Sequence, residues 1–233
     1  MSSLVEIEKR LEHLADGEAA KVLQRFFKTG PGEYGEGDMF IGIKVPPLRK
    51  LAAASDGASF RTVRALLKSR IHEKRVLAVM ILVRWFARAD EELRKRIYEF
   101  YLANLSSINN WDLVDGSAPY IVGPYLWERD RSQLYALAAS SSVWERRIAI
   151  LSTFYFIRQN DFADAFRIAE LLLRDPHDLI HKAVGWMLRE IGKRDLRAEE
   201  SFLKRHHRVM PRTMLRYAIE RFPESERRRY LTS

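Results

Sequence analysis

Five segments of this chain recur at a near-constant step. Anchored at Arg75, Trp111, Arg147, Lys182 and Arg216, the segments RVLAVMIL, WDLVDGSA, RIAILSTF, KAVGWMLR and RYAIERF are separated by 36, 36, 35 and 34 positions. A step of this length restricts the fold to supersecondary units that stack, each burying the face its neighbour leaves open. The units read as helix. In Glu145–Arg158, Ile148, Leu151, Ser152 and Tyr155 follow the 3.6-residue period, with Arg146 and Arg147 turned elsewhere. Val76 to Val83 is apolar all round, which predicts a helix enclosed by neighbours. Ser140-Ser141-Ser142 and Asp175-Pro176 announce helix starts, Gly192 an end, and Pro211 another start. No run sustains the alternation of a strand.

The expectation is therefore an all-α chain: an α-solenoid of helix pairs with a concave face, forming one domain over residues 1–233. The step is close to that of tetratricopeptide repeats, but their Trp, Leu-Gly and Tyr signature is absent, so the repeat is HEAT-like. The glycine-rich, acidic stretch Thr29–Asp38, TGPGEYGEGD, interrupts the pattern and is expected to be a flexible loop. A dinucleotide-binding reading of its glycines fails, because no strand precedes it and no basic residue lies within it.

The net charge of +9 and pI of about 9.8 make a polyanionic partner plausible, and the positive excess is greater in residues 141–233 than before them. The same charge also serves solubility. With no cysteine, disulfides and thiolate metal sites are excluded. The N-terminal MSSLVEIEKRLEHL lacks a secretory apolar core, and Val76–Val83 is too short to cross a bilayer. These features predict a cytoplasmic protein with no membrane partner, and the chain is expected to act as a monomer.

Two constellations carry potential chemistry. Lys182, Trp186, Arg189 and Lys193 share one helix face, where cations suit phosphates and a ring suits a sugar or base. The plainer alternative is a half-buried Trp186 among solvated charges. Trp111 and Asp115 lie one helical turn apart, and Asp115 stands four residues after its anchor, as Trp186 stands four after Lys182. A carboxylate facing tryptophans and guanidinium groups across a concave surface would suit chemistry on a cationic species. The alternative makes Trp111 core and Asp115 a cap or the ion-pair partner of an arginine such as Arg147. Asp112 is turned about 100° away by its one-residue offset. His177 and His181 have metal-compatible spacing but lack the glutamate of HExxH and a third ligand, so no metal and no organic cofactor is expected.

The stretches FIGIKVPPLRKL (Phe40–Leu51), INNWDLVD (Ile108–Asp115), VWERRIAIL (Val143–Leu151), HKAVGWMLREIGKRD (His181–Asp195) and RTMLRYAIERFP (Arg212–Pro223) together resemble the AlkD-like DNA alkylation-repair glycosylases, a family of HEAT-like repeat proteins. The resemblance implies excision of N3- and N7-alkylated purines from double-stranded DNA, without a pocket enclosing the base. It implies Asp115 as the catalytic carboxylate and Trp111 and Trp186 as the rings flanking the lesion deoxyribose. Arg147 would lie near the lesion phosphates, and Gly42 to Arg49, with Lys44 and Arg49, would be an N-terminal DNA contact. Asn110 replaces a further Trp of some relatives, and Lys44-Val45 replaces an expected polar pair. Some branches have lost the carboxylate and the activity; Asp115 argues against that branch. The rival readings are a non-catalytic repeat protein that binds DNA structure and a protein-interaction scaffold.

Overall fold

The computed structural model describes residues 3–232, and the chain, expected as one domain, divides into two compact units, Met1–Ser117 and Ala118–Ser233. The first holds α1 (Leu4–Leu14), α2 (Gly17–Phe26), α3 (Val45–Ala54), α4 (Phe60–Leu67), α5 (His72–Arg88), α6 (Glu91–Leu102) and the short α7 (Trp111–Asp115). The second holds α8 (Ala118–Leu126), α9 (Ser132–Ala138), α10 (Val143–Arg158), α11 (Ala163–Leu171), α12 (Asp178–Gly192), α13 (Leu196–His206), α14 (Arg212–Ala218) and α15 (Glu224–Thr232). Among the described residues there is no strand, only an isolated bridge between Met39 and Ile71.

Serine and aspartate start many of these helices as the capping argument requires. Ser142, the last of the serine triplet, accepts the Glu145 amide at the head of α10, and Asp16, Ser59, Asp90 and Asp195 cap α2, α4, α6 and α13. The anchors fall where an internal repeat would put them. Arg75, Arg147 and Lys182 lie in the early turns of α5, α10 and α12, Arg216 lies in the last turn of the short α14, and Trp111 opens α7. Each of these helices is the second of a pair. In the second unit they form a layer, α10 packing on α8 and α12, and α12 on α14, while α9, α11 and α13 cover it.

Glycine lets the layers close. A Cβ on Gly123 would stand 2.4 Å from the Ser152 carbonyl oxygen, and one on Gly185 would stand 2.4 Å from that of Met214. The same device thus sets α8 against α10 and α12 against α14. Gly185→Ala is expected to lower the unfolding free energy by about 1–3 kcal/mol through overpacking, despite the better helix propensity of alanine. A denaturant titration checks this, and an unchanged midpoint would mean that the two helices part without cost.

In the first unit α5 is the central helix, packed by α3, α4, α6 and α7, and Val76, Leu77, Val79, Ile81 and Leu82 are buried along it as its apolar run predicts. Near its start Glu73, also buried, turns its carboxylate into the connection before α3. It accepts the backbone amides of Ile41, Gly42 and Ile43 at 3.1, 2.8 and 3.3 Å. Three successive amides aimed at one carboxylate form an anion nest. Gly42 makes the turn possible: its φ is +85°, and a Cβ there would lie 1.9 Å from the Asp16 carbonyl oxygen.

The glycine-rich stretch expected to be a flexible loop is a run of tight turns with its own hydrogen bonds. Glu33 and Glu36 accept the amides of Gly30 and Gly32, and the Gln24 side chain donates to Thr29 and to the Asp38 carbonyl. It ends on Asp38, which is buried.

Candidate functional site

α7 is too short to be stable on its own hydrogen bonds, since helix nucleation is unfavourable and few bonds follow it. The fold holds it at both ends. Asn110, fully buried, accepts the Trp111 amide at 2.8 Å and donates its own amide to Asp38 Oδ2 at 3.3 Å. At the other end Ser117 Oγ donates to the Leu113 carbonyl at 2.5 Å and lies 2.9 Å from the Tyr101 hydroxyl. Leu113 and Val114 face the core, which leaves Trp111, Asp112 and Asp115 partly exposed.

Trp111 rests on an aromatic bed rather than in the core. Its ring stacks on Phe27 at 5.2 Å and 9°, and meets Phe26 edge-on at 6.1 Å. Phe27 in turn stacks on Phe40 at 4.9 Å and lies 4.9 Å from the His72 ring. Such ring contacts exceed simple area burial by about 0.5–1.5 kcal/mol each. Asp115 lies one turn further along, with neighbours of its own. Burial raises the Tyr101 hydroxyl far above its ordinary value; the Ser117 hydrogen bond opposes this, and the negative charge of Asp115 adds to it.

Asp112 was expected to be turned about 100° from the face of Trp111 and Asp115. It accepts a hydrogen bond from His72 Nε2 at 2.8 Å, while its other oxygen, Oδ1, is buried without a partner. His72 is buried, and its Nδ1 faces Asp38 Oδ2 at 3.2 Å; Arg75 reaches the same Asp38 oxygen at 2.6 Å. Burial would raise the Asp38 carboxyl, but hydrogen bonds from His72 and Arg75 outweigh it and hold the group below the usual carboxylate range. For His72 burial opposes the charged ring, yet the bonds to Asp112 and Asp38 lift it above the ordinary histidine value. Pattern reading missed this cluster because its members come from four separate stretches. The readable signals were the Phe26-Phe27 pair before the glycine-rich stretch and a histidine three residues before the Arg75 anchor.

In the second unit, α12 presents the predicted face, with His177 as its N-cap. Trp186 is half-buried, tilted on Phe154 at 6.0 Å, and its indole N–H donates to Glu190 at 3.0 Å. Each cation on this face has a carboxylate beside it: Lys182 has Asp178 at 2.8 Å, Lys193 has Glu190 at 2.6 Å, and Arg189 has Glu220. The face is therefore partly compensated, which a list of cations alone does not reveal. His181 bonds the Asp175 carbonyl at 2.5 Å.

Arg147 departs from expectation. It is 5% exposed, with Nη1 donating to the Leu179 carbonyl, so in this conformation it does not offer its guanidinium to a backbone phosphate. The physical reason is the position of α10, which packs on α8, α9, α11 and α12 and has almost no free side. Lys44 and Arg49, at the start of α3, are exposed.

A carboxylate and a ring one turn apart, on a short helix fixed from beneath, can stabilise positive charge developing near them. No curated protein matches the chain. Among solved structures, a predicted DNA alkylation repair enzyme from Enterococcus faecalis superposes with a TM-score of 0.70 at 16% identity, covering 90% of this chain and 97% of that one. AlkD2 from Streptococcus mutans superposes with a TM-score of 0.53 at 19% identity, covering 95% and 97%. At such identities these likenesses speak for the helical-repeat fold. The sequence pattern of the family described as DNA alkylation repair enzyme matches residues 7–222, nearly the whole chain, and to that family the protein belongs.

Proposed function

We propose that the protein is a monofunctional DNA glycosylase that excises cationic N3- and N7-alkylated purines from double-stranded DNA, acting as a cytoplasmic monomer without enclosing the base. The observation that carries this reading is the joint presentation of Trp111 and Asp115 on α7, one turn apart and partly exposed, within a family of alkylation repair enzymes. A purine alkylated at N3 or N7 already bears positive charge, so it departs without protonation. The pair of carboxylates that most glycosidases need is then unnecessary. What remains is the positive charge that gathers on the sugar as the bond breaks, before a water adds to the sugar carbon and gives up a proton to solvent. The Asp115 carboxylate stabilises that charge electrostatically, and the tryptophan face at Trp111 favours it further; Trp186, in the second unit, is the other candidate ring contact for the lesion sugar. No cofactor enters these steps. Lys182, Arg189, Lys193, Lys44 and Arg49 are the candidate phosphate contacts; for the first three a phosphate must compete with the carboxylate already beside each.

The test is to incubate purified protein with methylated duplex DNA and identify the released bases by chromatography. Release of 3-methyladenine or 7-methylguanine supports the reading. Salt-sensitive binding with no release would replace it with a non-catalytic DNA-binding protein. Neither binding nor release would favour a protein-interaction scaffold.

A further inference from the structure

Beneath the proposed site lies a cluster that the chemistry above does not use. Around the His72 ring stand Asp38 from the glycine-rich stretch, Arg75 from its own helix and Asp112 from α7, with the rings of Phe27 and Phe40 at 4.9 and 4.7 Å. The adjoining charges on α5 look elsewhere: Glu73 to the amides of residues 41–43, and Lys74 to Glu8 at 2.6 Å. Asn110, the cap of α7, bonds the same Asp38 oxygen that faces His72.

We propose that His72 is the positioning residue of the α7 helix: as an imidazolium it bridges Asp38 and Asp112, and so fixes the Trp111 ring and, one turn on, the Asp115 carboxylate. The charge count supports this. With His72 protonated, two carboxylates balance two cations; with His72 neutral, one buried negative charge is left over. Protonation also decides the hydrogen bonds. Only the imidazolium donates at both nitrogens, to Asp38 and to Asp112. A neutral ring donates at one nitrogen alone: with its hydrogen on Nε2 it keeps Asp112, its Nδ1 accepts from Arg75 Nη2 at 3.1 Å, and the link to Asp38 is lost. Asp112 then faces a neutral donor in place of a cation, and its Oδ1 has no partner to make up the difference.

The linkage has a definite sign. A histidine whose value is raised in the folded state holds its clamp fully below the ordinary value of 6.5, and loses it as pH rises through the raised folded value. α7 is therefore firmly seated while His72 is charged and both acids are ionised, and it loosens as pH rises through the raised His72 value.

The experiment uses the full chain labelled with 5-fluorotryptophan, the Trp111 resonance being assigned through Trp111→Phe. The same chain carries ring-labelled histidine so that the His72 titration is read directly. In the wild type the Trp111 resonance is expected to shift with the midpoint of His72, and that midpoint to lie above 6.5. Asp112→Asn should lower the midpoint. His72→Gln keeps one amide donor for Asp112 but no titratable charge, so its Trp111 resonance should be flat with pH. Base release, the arm that rests on the proposed function, should fall about tenfold or more with rising pH in the wild type, a loss on the scale of a misplaced reacting group, and should lose that dependence in His72→Gln. A Trp111 resonance that ignores both the titration and His72→Gln overturns the inference, whatever the enzyme does. Absence of base release together with a coupled Trp111 resonance sinks the glycosylase reading and leaves the positioning role standing.

Discussion

Asp115→Asn should slow base release by about 10²-fold or more, the scale on which removing one preorganised electrostatic stabiliser of a transition state acts. The substitution keeps the shape of the side chain and removes its charge. The loss should appear in the chemical step, because the positive sugar exists only there. DNA binding should hold or tighten, since a repulsion with phosphates is removed. The effect should be larger for 7-methylguanine, which leaves reluctantly, than for a labile lesion that departs with little help. Single-turnover release from one lesion-bearing duplex measures it, beside a melting curve showing that α7 has not come loose. Wild-type rates in a folded Asp115→Asn protein would make Asp115 structural. Asp112→Asn is not the silent control that its position on the helix first suggests, because Asp112 holds His72. A surface carboxylate such as Glu128, exposed at the end of α8, serves better.

The largest effect on stability is expected at Glu73. Replacing it with leucine leaves the amides of Ile41, Gly42 and Ile43 with no acceptor, beside a turn that has no room to rearrange. Each buried donor left unpaired costs about 1–3 kcal/mol, so the variant should lose about 3 kcal/mol or more, and its first unit should melt early. Glu73→Gln, which keeps one acceptor oxygen, should fall between the two. Chemical denaturation monitored by circular dichroism checks the order, and a Glu73→Leu midpoint at the wild-type value would show the nest to be dispensable. The prediction bears on function because the same turn directly follows Phe40, whose ring stacks on His72 at the start of α5.

Several features were legible in the chain before any coordinate was known. A step of 36, 36, 35 and 34 residues between like segments means repeated helix pairs, and the pairs are there. The apolar run at Val76–Val83 means an enclosed helix, and α5 is enclosed. The serine triplet means a cap, and Ser142 caps α10. These succeed because helix period, capping and turn chemistry act over a few residues, within reach of one stretch of chain. The pairing of Trp111 with Asp115 was legible for the same reason: a four-residue offset on a helix is a local fact.

Other features depended on which helix surrounds which, and no local pattern holds that information. Arg147 reads as a surface cation in its own segment, yet α10 is covered by four neighbours and takes the guanidinium inside. Lys182, Arg189 and Lys193 read as a bare basic face, but two of their carboxylate neighbours lie on the same helix and the third, Glu220, follows α14. Asp112 reads as an idle acid until His72 and, behind it, Asp38, both distant along the chain, close around it. The sequence by itself determined the repeat, the helix starts and the carboxylate–tryptophan pair, because these rest on short-range geometry. The tertiary structure alone decided which charges are buried, which are compensated and what holds α7 in place, because burial and ion pairing depend on distance in space, and stacking a repeat brings together residues that the chain keeps far apart.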